Sequence, residues 1–169
     1  RPIKSTKINE FNLIEPGANY LGLVYPHRFK QDFELLKKRK INIFAMELMP
    51  RISRAQSMDV LSSQSNLSGY KAVVDAASVY NKAFPLMMTS AGTVAPAKVL
   101  IIGAGVAGLQ AIATAKRLGA VVFCFDVRSA TKEQVESLGG NFIEVENSSS
   151  GETESGYAKE MSASYKKKQ

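Results

Sequence analysis

Three features of the sequence predict an α/β fold built on a doubly wound parallel sheet. Apolar runs of strand length recur, segments of helical spacing separate them, and glycines close those segments between residues 98 and 145. Residues 1–62 are expected to form part of a second α/β lobe, and residues 63–169 a linking helix followed by the first βαβαβ half of the sheet. The composition, 45% hydrophobic and 22% charged over 169 residues, excludes collagen-like, disulfide-scaffold and disordered classes. Cys124 is the only cysteine, so no internal disulfide can form. No apolar run reaches the roughly 18 residues of a membrane-spanning helix. The nearest approach, Val99 to Ala115, carries Gly103, Gly105 and Gly108 near its start.

In chain order, Asp32 to Lys40 is rich in helix formers and carries Phe33, Leu35 and Leu36, which predicts a short helix. Ile41 to Met46 is short and apolar, a buried strand, and Pro50 closes it. Leu67 to Ala83 predicts a longer helix with Tyr70, Val73, Val74, Ala77 and Tyr80 on its apolar face. Phe84-Pro85 ends it, and Thr89 to Pro96 is expected as a small-residue connection. Val99 to Ile102 is a strand, followed at once by Gly103-Ala104-Gly105-Val106-Ala107-Gly108 and a helix running to Leu118, capped by Gly119. Ala120 to Phe125 is a second buried strand ending in Asp126. Thr131 and Gln134 have capping-box spacing for a helix to Leu138, and Asn141 to Val145 is a third strand. This βαβαβ order is the first half of a Rossmann-type fold. The stretch from Ser148 to Gly156 is expected to be a polar, mobile loop.

The net charge of +7 is concentrated early. Residues 1–54 hold 11 Lys or Arg against 5 Asp or Glu, whereas residues 55–169 hold 11 against 10. The cluster Lys37-Lys38-Arg39-Lys40 reads as the solvated, dipole-favoured end of a helix. Nucleic-acid binding would need a longer basic stripe or interleaved aromatics, so no nucleic-acid partner is expected. His27 reads as a surface residue, Cys124 as a buried strand residue, and Met46, Met49, Met58, Met87 and Met88 as core or lobe-interface fillers.

The glycine run points to a dinucleotide. Gly103 permits a tight turn, Gly105 lets the backbone approach a pyrophosphate, and Gly108 allows close helix-to-strand packing. The helix opening near Val106 aims its free N–H groups and its positive dipole end at the phosphates. Asp126 follows at the end of the next strand, placed to accept hydrogen bonds from an adenosine ribose and to repel a 2′-phosphate. NAD(H) is therefore expected over NADP(H), although Arg128, two residues on, could greet a 2′-phosphate.

The segment from Pro50 to Ser63 crowds Arg51, Arg54, Gln56, Asp59, Ser62 and further serines behind a strand. It contains no metal-ligand spacing and no nucleophile–base pair. Hydride transfer between two nicotinamides needs neither, only side chains that position the rings and amides. On composition alone, a polar loop joining two domains explains the segment better.

The string from Ala45 to Asp59, with Arg51-Ile52-Ser53-Arg54-Ala55-Gln56 at its centre, resembles the NAD(H)-binding component of the proton-translocating nicotinamide nucleotide transhydrogenases. Leu61 to Ala72, Gly92 to Lys98, Gly103 to Gly140 and Gly156 to Met161 continue the resemblance. The glycine fingerprint is shared with the related alanine dehydrogenases. The resemblance implies a two-lobed component that binds NAD(H) and exchanges hydride with NADP(H) held on a partner domain, with a membrane proton-channel component coupling the exchange to proton movement. It also implies a homodimer, peripheral on the cytoplasmic face of the inner membrane or on the matrix side in a mitochondrion. Carried over by position, Arg51, Gln56, Asp59 and Ser62 would surround the nicotinamide. The turn from Gly103 through Ala104, Gly105, Val106 and Ala107 to Gly108 would hold the pyrophosphate, with Asp126, Val127 and Arg128 at the ribose. Tyr157 would lie on a mobile loop that closes over the nucleotide. The family component extends beyond both Arg1 and Gln169, so this chain is expected to be a piece of something larger. An alanine-dehydrogenase-like enzyme and a non-catalytic NAD-binding fragment are the alternatives.

Overall fold

The computed structural model describes residues 10–28, 30–144, 158–159 and 161–163. The chain divides into two compact units, Arg1–Ser63 and Gln64–Gln169. In the first, strands β1 (Asn19–Gly22) and β2 (Asn42–Ala45) pair in parallel across helix α1 (Lys30–Lys38), with Asn19 opposite Asn42 and Gly22 opposite Ala45. The helix lies two residues earlier than expected, and β2 forms where a buried strand is expected but alternates between half-buried and exposed positions, whereas β1 does not announce itself, because its four residues Asn-Tyr-Leu-Gly lack a distinctive apolar run. Phe11, Val24, Leu36 and Ile41 form the core, supported by Tyr20, Phe33 and Ile43. Leu21 and Phe44, paired in register, point to the opposite face and are exposed.

Helix α2 (Val60–Val79) is followed by a hairpin, β3 (Met87–Thr89) and β4 (Gly92–Val94). The hairpin corrects the expected featureless connection. Met87 pairs with Val94 and Thr89 with Gly92, and Gly92 takes φ +137, which only glycine adopts without strain. The expected helix over Leu67–Ala83 begins seven residues earlier and stops before Tyr80. Its burial also differs: Gly69 and Val73 are buried, whereas Tyr70, Val74 and Tyr80 are exposed. Met58, Met87 and Met88 are exposed too, so they fill no core in this structure.

The central pattern folds as a three-stranded parallel sheet in the order β5 (Lys98–Ile102), β6 (Val121–Phe125), β7 (Asn141–Phe142). Helix α3 (Val106–Arg117) crosses from β5 to β6, and the short helix α4 (Lys132–Ser137) from β6 to β7. Lys98 lies opposite Val121, and Phe123 opposite Asn141. Ile112, Ala115, Val122, Cys124 and Val135 are almost wholly excluded from water and make the core. On the other face of β5, Leu100 and Ile102 are 57% and 75% exposed. Gly119 closes α3 with φ +88, where glycine is cheapest. The expected capping box is corrected: Thr131 has helical angles, and its hydroxyl donates back to the Arg128 carbonyl at 2.8 Å instead of capping α4. The third strand is seen as Asn141–Phe142; Val145 and the loop expected at 148–156 lie outside the described residues. No helix among the described residues is long and apolar enough to cross a membrane.

Two glycines let backbones touch. A Cβ on Gly108 would fall far inside contact with the Gly103 carbonyl oxygen, and one on Gly69 would overlap the Ala107 carbonyl. Helix α2 can therefore lie against the first turn of α3 only because residue 69 has no side chain. Gly69→Ala is expected to lower stability by about 1–3 kcal/mol, the usual cost of overpacking, read as a lower midpoint in urea. An unchanged midpoint would show that the two helices separate at no cost.

Candidate functional site

The carboxyl ends of β5 and β6 meet at a buried carboxylate. Leaving β5, the chain turns at Gly103, which has φ +96, and Gly103 N–H donates to the Phe125 carbonyl at 2.7 Å. Ala104 is 2% exposed, and its N–H donates to Asp126 Oδ2 at 2.6 Å. The other donors to Asp126 come from Arg128. Its backbone N–H and Nε reach Oδ1 at 2.8 and 3.0 Å, and Nη2 reaches Oδ2 at 2.9 Å. The Arg128 side chain is 16% exposed and the Asp126 side chain 4%.

Burial opposes the charged form of Asp126. The Arg128 side-chain hydrogen bonds, the Ala104 and Arg128 backbone N–H groups and the guanidinium charge outweigh it and hold the carboxyl below its ordinary range. Neighbouring Cys124 is driven the other way, up to about 11, by burial and by the Asp126 charge. It is a packed thiol without thiolate reactivity.

Gly105 stands at the N-cap of α3 and no side chain caps that end, so the first-turn N–H groups of Val106, Ala107 and Gly108 are not taken by a capping side chain. Beside this helix end lies an open groove of about 330 Å³ whose walls include Ser68, Gly69, Ala72, Gly103, Gly105 and Gly108. A Cβ on Gly103 or Gly105 would meet nothing within 4 Å, so the backbone is open both at the tight turn and at the position where a pyrophosphate needs close approach. The turn, the helix N-terminus and the acid at the end of β6 together fit a dinucleotide. Ser68, Gly69 and Ala72 are groove residues that sequence reasoning misses. The available signal is a glycine inside a 20-residue helix, a position that costs about 1 kcal/mol unless close packing requires it.

The second cluster lies in the Arg1–Ser63 unit. The chain forms a 3-10 turn over Ser53–Met58 with Ala55 buried and the Gln56 side chain exposed. Asp59 then caps α2: Oδ1 accepts from Ser62 N–H at 3.0 Å and Oδ2 from Ser62 Oγ at 2.7 Å. These two hydrogen bonds, with help from the Arg51 charge, keep the Asp59 carboxyl below its ordinary range despite some desolvation. Arg51 Nη2 stands 4.0 Å from Asp59 Oδ2. Arg51, Asp59 and Ser62 are thus brought together, with Gln56 on the turn between them. Ahead of this segment, Glu47 Oε1 accepts from the backbone N–H groups of Val24 and Tyr25, the latter at φ +52, and so ties the exit of β1 to the approach to Pro50. Val127 is half-buried beside Asp126, and Tyr157 lies outside the described residues.

Comparison with known proteins shows the family and the fold. Residues 72–163 match the family described as alanine dehydrogenase/PNT, C-terminal domain, and residues 2–68 match alanine dehydrogenase/PNT, N-terminal domain. A relative from Rhodospirillum rubrum, named as the first part of NAD(P) transhydrogenase subunit alpha, is 69% identical over 163 residues, covering 95% of this chain and 42% of its own length. The chain thus spans between 31% and 43% of the length of curated relatives it matches. Among solved structures, the transhydrogenase from Sinorhizobium meliloti is similar with TM-score 0.79 and 56% identity, over 85% of this chain and 41% of that one. An L-alanine dehydrogenase shares the fold at 21% identity with TM-score 0.62, over 79% of this chain and 38% of that one.

The Asp126 network carries a pH signature. A carboxyl more acidic in the folded than in the unfolded state adds stability in full above the unfolded value, near pH 4, and loses it as pH falls through the folded value. The stability difference between wild type and Asp126→Asn should be constant between about pH 5 and 7 and shrink below about pH 4. Chemical denaturation across that range checks it, and a difference that persists unchanged in acid would contradict the assignment.

Proposed function

The chain belongs to the alanine dehydrogenase/PNT family, and on that premise we propose that it is the NAD(H)-binding component of a transhydrogenase. In this reading hydride passes between NAD(H) held here and NADP(H) held on a partner domain, and a membrane proton-channel component couples the exchange to proton translocation. The complete component would act as a homodimer at the cytoplasmic face of the inner membrane, or on the matrix side in a mitochondrion. The observation that carries the proposal is the junction of an uncapped helix N-terminus, two glycines open to a ligand and a buried acid at the end of β6. The name of the Rhodospirillum rubrum relative supplies the reaction class.

NAD(H) would supply the two-electron chemistry; the protein supplies position and charge. Gly103 and Gly105 would give backbone access to the pyrophosphate, with Ala104, whose N–H is taken by Asp126, completing the turn and Val106, Ala107 and Gly108 donating N–H groups. Asp126 would accept from the adenosine ribose, flanked by Val127 and Arg128. Arg51, Gln56, Asp59 and Ser62 would orient the nicotinamide, and Tyr157 would close over it. None of them has to remove a proton during hydride transfer. Asp59 is held ionised and engaged with Ser62, which suits a positioning role better than that of a general acid.

Two measurements test the proposal. NADH should bind more tightly than NADPH in a titration of both, and tighter NADPH binding would overturn the cofactor assignment. In a complex reconstituted with the NADP(H)-binding partner, Gln56→Asn should slow single-turnover transfer on the order of 10²-fold with a much smaller loss of NADH affinity. The loss should not vary with pH near neutrality, because the amide does not titrate. Transfer at the normal rate, with stability and NADH affinity reduced together, would reduce Gln56 to a loop-forming residue. Rapid NAD⁺ reduction by alanine without the partner would favour the alanine-dehydrogenase alternative.

A further inference from the structure

The charge by which Asp126 is expected to repel a 2′-phosphate is paired in this structure. Both carboxylate oxygens are engaged by the Arg128 side chain, through Nε to Oδ1 and Nη2 to Oδ2, and the buried acid and the partly exposed base form a neutral pair. A neutral pair exerts little net repulsion at the ribose edge. Arg128 nevertheless carries the group best suited to grip a 2′-phosphate, a planar fork that matches phosphate oxygens in two parallel hydrogen bonds. What keeps it from doing so is its present engagement. To turn towards a phosphate it would leave Asp126 buried, charged and bound only by the Ala104 and Arg128 backbone N–H groups, and breaking a buried pair in this way is strongly unfavourable.

From this arrangement we infer that Arg128 is a latent 2′-phosphate reader that Asp126 holds out of action, so that nucleotide selectivity belongs to the pair and not to the carboxylate alone. The inference rests on the proposed nucleotide site. It gives Asp126 two duties, accepting from a ribose and restraining the guanidinium. The Arg128 backbone N–H bond to Oδ1 fixes the turn between them, which keeps the Arg128 backbone close to residue 126. Neutralising Asp126 should therefore convert the site towards 2′-phosphorylated nucleotides, and only while Arg128 is present.

The test uses 2′,5′-ADP and 5′-ADP, which probe the 2′-phosphate directly, with NADH titrated alongside against the same proteins. Asp126→Asn should raise the affinity for 2′,5′-ADP relative to 5′-ADP at least tenfold, and the gain should fall as salt is added. In Asp126→Asn combined with Arg128→Leu the gain should vanish to within about twofold of wild type, since the Arg128 fork is its source. Asp126→Ser, which keeps an acceptor for Ala104 N–H, serves as the parallel variant should the Asn protein fold poorly. If the double variant keeps the whole gain, simple carboxylate repulsion is sufficient and the role of Arg128 is overturned. If neither Asp126 variant gains, the restraint itself is overturned. Wild-type NADH binding separates the two levels. With NADH bound normally, either result removes the inference alone, whereas a wild-type protein that binds no NADH removes the proposed cofactor.

Discussion

One buried carboxylate, Asp126, connects the ends of two adjacent strands, and the local structure around the glycine turn depends on it. A chain that leaves a parallel strand and re-enters as a helix must abandon the ladder for a few residues. The Ala104 N–H is caught in that interval, buried and beyond the last pairing of β5 with β6. An unpaired buried backbone donor costs about 1–3 kcal/mol, and Asp126 Oδ2 removes that cost. The carboxylate is itself buried, so it needs a counter-charge, and Arg128 provides one. The dependence runs from backbone to acid to base, each step made necessary by the burial of the one before. The local fold of the turn therefore draws on all three groups.

Close backbone contact is the second constraint. At Gly108 the α3 helix approaches the turn that precedes it, and at Gly69 helix α2 approaches α3, each at a separation no side chain would allow. The groove wall beside the turn is consequently made of small residues, Ser68, Gly69 and Ala72 on α2 and the glycines of the turn. Ile102, Ala107 and Ala111 complete that wall, which is therefore largely carbon, and attraction for an anion comes from the uncapped N-terminus of α3 and not from the wall itself.

The sheet-and-helix half is legible in the sequence because two independent signals coincide there: uninterrupted apolar strands such as Val121–Phe125, and glycines at positions that demand them, as the φ of +88 at Gly119 shows. The strand β1 is not legible, since Leu21 faces outward and Gly22 offers no side chain, leaving no alternation to read. The hairpin is hidden by its exposure. Met87, Met88 and Val94 look like core residues by type, while Gly92 at φ +137 is the only local sign of the turn. The apolar face of α2 misleads for the opposite reason, because Tyr70 and Val74 have the right spacing for burial but lie on the flank of the narrow buried stripe through Gly69 and Val73. At the site, the presence of Asp126 and Arg128 can be read from the sequence. That one neutralises the other cannot, because two residues of separation in a turn do not specify side-chain direction.

The parallel sheet has a further property that follows from its register. Lys98 meets Val121 and Phe123 meets Asn141, so every pairing joins segments separated by a single helical crossover. Parallel sheets are ordinarily slow to assemble because distant strands must find one another. In this sheet strand order equals chain order, and the entropy of closing each crossover grows only logarithmically with its length. Assembly can therefore proceed vectorially: β5 with α3 forms a template, β6 docks on it, and β7 joins the new edge as it leaves the ribosome. Ala104 is made before Asp126, so the buried donor waits for its acceptor while α3 and β6 are synthesised, and the turn becomes rigid only when the second strand arrives.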